Sequence, residues 1–124
     1  MRKLLATTAF TALMFVGASV LDGGEVLRMQ VSPAVSRAPA WLTVRIHIDA
    51  PPDSRFLRVT AESSDFYRSS QIPVDGKNDT PLKVFEFANL PSGTYDVTGV
   101  LLGTFGTQAT VSRIAQVVES VGNR

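Results

Sequence analysis

The chain has no cysteine and a single histidine, His47, among its 124 residues. The first absence excludes disulfides, thiolate metal sites, a cysteine nucleophile and cysteine-linked lipid. The second removes most of the remaining catalytic and metal-ligating repertoire. Charge of either sign is scarce and nearly balanced, with 12 Lys and Arg against 11 Asp and Glu for a net charge of +1. That is far from the basic excess used to hold a phosphate backbone, so nucleic acid is not an expected partner. Internal repeats and low-complexity tracts are missing, which excludes solenoids and linker arrays. From Glu25 onward no stretch longer than about ten residues carries the i, i+3, i+4, i+7 spacing of an amphipathic helix. What is present suffices for one core: 44% of residues are hydrophobic and 19% charged, in 13.4 kDa. Such a chain folds, and it folds as one domain.

The N-terminus reads as an address. Arg2 and Lys3 precede an uncharged, proline-free run from Leu4 to Val16, and Gly17, Ala18 and Ser19 follow. This is the order of basic region, apolar region and small-residue cleavage site, and it predicts a signal helix cut after Ala18. An uncleaved anchor is the alternative, because Leu4 to Leu21 is about the shortest run that crosses a bilayer. That anchor is the one route to membrane association the sequence offers. Cleavage removes two of the 12 basic residues and leaves 10 against 11 acidic ones. The expected organisation is a signal peptide over 1–18, a linker over 19–24, a folded domain over 25–119 and a tail over 120–124. A secreted or periplasmic location follows from the leader.

The domain reads as all-β. In Trp41 to Ala50, Leu42, Val44, Ile46 and Ile48 alternate with Thr43, Arg45, His47 and Asp49, giving one row for a core and one for water. Pro51 and Pro52 stop this strand. Arg55 to Glu62 repeats the pattern with Leu57, Val59 and Ala61 inward. Val26 to Val31 is a first strand, and the segment with Pro33 and Pro39 behind it suits an irregular edge. Phe66 to Val74, Leu82 to Phe87, Thr94 to Leu102 and Gln108 to Glu119 complete about seven strands, with turn-forming clusters between them. Short strands at this spacing predict two antiparallel sheets packed face to face, an immunoglobulin-like β-sandwich behind the signal helix.

One stretch is more specific than alternation: FEFANLPSGTYDV, from Phe85 to Val97. Phe85 and Phe87 point inward, Leu90 plugs the end of the core, Pro91 and Gly93 form a turn, and Tyr95 leads the next strand. Its ring is expected in the core with its hydroxyl bonded to backbone in the corner. The stretch resembles the F-x-F-x-x-L-P-x-G-x-Y-x-V corner of bacterial surface and periplasmic sandwich modules, among them carboxypeptidase regulatory-like, Cna-B-like and fibronectin-like domains. The resemblance implies a binding or structural role and no reaction or cofactor. Cna-B-like domains often carry a Lys–Asn isopeptide; here the first strand offers Arg28 in place of a lysine, and the last strand has no asparagine before Asn123.

The remaining side chains give no catalytic or metal-ligating set. His47 lies on a polar row beside Arg45 and Asp49, where a solvated strand residue is the plainer reading than a general base. Ser63, Ser64, Ser69 and Ser70 lie in no nucleophile turn. Asp75, Asn78 and Asp79 do not have calcium-loop spacing, and Asn78 to Thr80 forms a glycosylation sequon. Phe66, Tyr67 and Arg68 on a predicted edge strand, with Phe105 between two glycines at a loop tip, are the candidate partner contacts. Alternation places Phe66 and Arg68 on one face and Tyr67 on the other, so one of the aromatics belongs to the core. Trp41 and Phe56 are further surface aromatics. The expected function is that of an exported, non-enzymatic module contacting protein or carbohydrate at the cell envelope. The alternatives are an assembly subunit that pairs edge strands, and a small hydrolase using His47.

Overall fold

The computed structural model describes residues 26–75 and 80–120. Eight strands follow one another: β1 (Leu27–Ser32), β2 (Val35–Arg37), β3 (Ala40–Ile48), β4 (Ser54–Glu62), β5 (Tyr67–Pro73), β6 (Leu82–Leu90), β7 (Gly93–Gly103) and β8 (Gly106–Val118). They form a three-stranded sheet in the order β1-β3-β6 and a five-stranded sheet in the order β2-β8-β7-β4-β5. The predicted leader, the turn residues 76–79 and the tail beyond 120 lie outside the described residues. Among the described residues no helix is long and apolar enough to cross a membrane.

The alternation in the sequence becomes the two inner faces. Leu27 and Met29 of β1, Leu42, Val44 and Ile46 of β3, and Phe85 and Phe87 of β6 meet Leu57, Val59 and Ala61 of β4, Val97 and Leu101 of β7, and Val111, Ala115 and Val117 of β8. Strand residues point alternately to the two faces, so a single register buries all of these at once, and a slip by one residue would expose the whole set. Gly99 leaves room for the facing sheet: a Cβ there would stand 3.0 Å from the tip of Met29 and 3.2 Å from that of Ile46.

Two features differ from the expectation of about seven antiparallel strands. The eighth strand is β2, and it pairs with β8 in parallel, Val35 to Gln116 and Arg37 to Val118. It lies between Pro33 and Pro39, which have no N–H to donate, and this confines it to three residues at a sheet edge. The second difference is that β6 runs on to Leu90 instead of stopping at Phe87. Asn89 takes a left-handed conformation with φ of 60°, one that asparagine tolerates better than most residues. The resulting bulge carries the strand past the irregularity between Ala40 and Leu42.

The corner after β6 is built as its residues predict. Leu90 and Tyr95 are fully buried, and the Tyr95 hydroxyl donates to the carbonyl of Pro91 at 2.7 Å. At the other end of the sandwich a second polar tie joins distant segments. Gln108, the extra residue where the β7–β8 register shifts, donates to Asp53 Oδ1 at 2.8 Å and accepts from the Ser54 hydroxyl at 2.6 Å. Ser54 is the buried polar residue of the core, and this bond satisfies it.

Candidate functional site

The outer face of the three-stranded sheet follows from its register. Arg28 stands opposite His47, and Gln30 opposite Arg45. On the other side of β3, Leu82 stands opposite His47, Val84 opposite Arg45, and Glu86 opposite Thr43. Two transverse rows result, Arg28–His47–Leu82 and Gln30–Arg45–Val84, all of them exposed. Directly opposed residues hold their Cβ atoms about 5 Å apart, and diagonal ones such as Arg28 and Arg45 lie roughly 7–8 Å apart. An open basin of about 360 Å³ lies over these rows, lined by Arg28, Met29, Gln30, Arg45, His47 and Leu82. That volume is at the small end of the range for ligand pockets.

The face carries charge of both signs, with Arg28 and Arg45 over the basin and acids at its flanks. Glu86 and Asp49 are the nearest acids along the strands. Among the described residues neither makes an ion pair with Arg28 or Arg45. Two guanidiniums, each with a planar fork of N–H donors, therefore converge on the basin with the His47 imidazole and the Gln30 amide between them. His47 has an N–H to give in either protonation state. Asp49 is two residues further along the chain, just past the end of β3, and no hydrogen bond joins it to His47 among the described residues. The arrangement can hold an anion. It does not set up a base beside an orienting carboxylate.

The four residues expected as partner contacts are distributed over the molecule. Phe66 and Arg68 turn inward at the side of the sandwich. The Phe66 ring meets the Tyr95 ring edge-on at 6.3 Å, and the Arg68 guanidinium lies 5.1 Å over Phe66 and donates to the Ala88 carbonyl at 2.8 Å. Arg68 thereby ties the edge strand of one sheet to that of the other. Tyr67 points outward opposite Glu62. Phe105, 92% exposed, tips the β7–β8 hairpin. Tyr67 pairs at the end of β4 and the hairpin at its start, so strand rise puts about 26 Å between them. Of the other surface aromatics, Trp41 lies on the outer face of the three-stranded sheet and Phe56 on that of the five-stranded one. Ser69 joins Thr60, Thr98 and Ser112 in a transverse row of hydroxyls on that latter face, with Thr98 and Ser112 bonded at 3.2 Å. Asn78 and Asp79 lie outside the described residues.

The sequence placed Arg45 and His47 on one polar row but gave no reason to add Arg28. The signal was the outward parity of Arg28 on a neighbouring strand. It becomes informative only once β1 and β3 are known to be adjacent and in register.

No protein-family model matches the chain, nor does any curated protein sequence. Solved structures do resemble it. The superoxide reductase (neelaredoxin) of Ignicoccus hospitalis superposes with a TM-score of 0.55 at 11% identity, covering 74% of this chain and 80% of that one. A single-substitution variant of the same protein superposes at 0.57 and 10% identity, covering 86% and 90%. The CARDB domain of a Pyrococcus furiosus protein with di-metal ions gives 0.49 at 13% identity, covering 76% and 94%. At 10 and 11% identity the likeness to the superoxide reductases is one of fold. It corrects the expectation of a non-enzymatic contact module at the cell envelope, because the superoxide reductases that share this fold are enzymes and the fold does not imply an absence of chemistry. The chain has one histidine and no cysteine, and among the described residues no three His, Cys, Asp or Glu side chains group to hold an ion.

Proposed function

We propose that the outer face of the three-stranded sheet binds a small organic anion, with the Arg28 and Arg45 guanidiniums as the principal donors and His47 and Gln30 as further ones. The observation that carries this reading is the pair of transverse rows Arg28–His47 and Gln30–Arg45, which bring to one basin two guanidiniums that make no ion pair among the described residues. Like charges held one row apart repel each other, and an anion between them turns that repulsion into two charge-assisted hydrogen bonds. Because the donors lie on strands, the geometry is held by the sheet and does not depend on a loop.

The test is titration of the protein with acetate and with inorganic phosphate, followed by backbone amide and His47 ring shifts in NMR. Saturable shifts centred on residues 28, 30, 45 and 47 are expected, and they should weaken as sodium chloride is added. Arg28→Gln and Arg45→Gln should each raise Kd about tenfold, the value of one charge-assisted bond. Shifts that are absent, or that leave these residues unmoved, would remove the reading.

The finer assignment of the sandwich as immunoglobulin-like belongs to the same proposal. It is supported by strand order, with β1, β3 and β6 in one sheet and β4, β7 and β8 in the other. It is supported also by a tyrosine near the start of β7 whose hydroxyl bonds the backbone four residues upstream.

A further inference from the structure

The basic rows do not end at β3. Each runs on to an aliphatic side chain of β6, Leu82 beyond His47 and Val84 beyond Arg45. Leu82 is 38% exposed and Val84 51% exposed, and among the described residues no strand covers β6 on its free side. Strands lie about 4.8 Å apart, so the aliphatic pair begins one strand spacing from the middle of the basic rows and two from Arg28. Glu86 follows on the same face of β6 and bounds the apolar part at its far end. The face therefore passes from the Arg28 and Arg45 guanidiniums on β1 and β3 to the Leu82–Val84 pair on β6, with Asp49 and Glu86 at its flanks, within the reach of one small molecule.

We infer, building on the anion site above, that the ligand is a carboxylate with an apolar body: its head lies between Arg28 and Arg45, and its hydrocarbon part lies across Leu82 and Val84. The charge selects the head. A guanidinium fork matches a planar carboxylate with two parallel hydrogen bonds. The aliphatic pair selects the body, since an ion such as acetate or phosphate leaves Leu82 and Val84 in water, whereas a longer acid covers them and gains the free energy of removing apolar area from water. The edge position matters too. With no further strand beside β6 among the described residues, the tail has a free side to lie along, and chains of different length are accommodated without displacing any core residue.

The experiment is calorimetric titration of the protein with the straight-chain series acetate, butanoate, hexanoate and octanoate, and with inorganic phosphate, at fixed ionic strength. Affinity should rise about threefold per added methylene while the tail still meets Leu82 and Val84, and should level off beyond them. Octanoate is expected to bind at least tenfold tighter than acetate. The double substitution Leu82→Thr with Val84→Thr keeps residues that suit a strand. It should bring octanoate back to the affinity of acetate, so that the variant binds the two acids equally. Equal binding of all acids, or a chain-length gain that survives the double substitution, overturns the apolar-body inference and leaves the anion site standing. Failure of every anion to bind overturns both.

Discussion

Tyr95 shows how much one side chain can contribute to a corner. Its ring is fully buried against Phe66, and its hydroxyl, at the rim of the core, donates to the Pro91 carbonyl at 2.7 Å. Tyr95→Phe retains the ring and removes the bond, leaving a carbonyl without its partner, so the protein should lose about 1–1.5 kcal/mol. Denaturant unfolding should show a lower midpoint with an unchanged slope. This contact was legible in the sequence because donor and acceptor are four residues apart, inside a single turn motif. The Gln108 tie was not. Its partners Ser54 and Asp53 are 54 and 55 residues away, and its inward turn depends on a register shift between β7 and β8 that no local pattern announces. His47 lies between these cases: its outward parity could be read from alternation, but its cationic neighbour Arg28 could not.

At the scale of strands, alternation identified the elements and left open their edges and neighbours. Leu42, Val44, Ile46 and Ile48 declare a core face for β3 wherever that strand is placed, because the period of two is a property of the backbone. The same argument could not give β2, which has three residues and owes its existence to the β8 edge beside it. Nor did it settle the role of Arg68. On sequence grounds the residue was a candidate partner contact; in the fold it spans from β5 to the Ala88 carbonyl on β6 and lies over Phe66. Arg68→Ala removes this tie between the two edges, together with a cation–π contact, and should cost about 1–2 kcal/mol. Hydrogen exchange of the β5 amides should speed up more than that of β7, since the loss is local to an edge strand. Equal protection in both proteins would show that the edges are held by packing alone.

For the molecule as a whole, the leader and the sandwich make separate statements. Basic, apolar and small-residue segments in that order predict processing after Ala18. N-terminal sequencing of protein recovered from outside the cytoplasm should begin at Ser19, and an intact Met1 in that fraction would count against the leader. That the rest of the chain is a two-layer β-structure with one core was determined by the sequence itself, since composition, short alternating strands and the Phe85–Val97 corner are all local and each points the same way. Which surface can bind was decided only by tertiary structure. Arg28, Arg45, His47, Leu82 and Val84 come from three strands separated by up to 56 positions, and a face that joins the guanidiniums to the aliphatic pair exists only when β1, β3 and β6 lie side by side in register. The physical reason is the range of the forces involved. Periodicity and turn geometry act between residues a few positions apart, whereas a binding face is made by long-range pairing that brings the same outward parity of separate strands onto one plane.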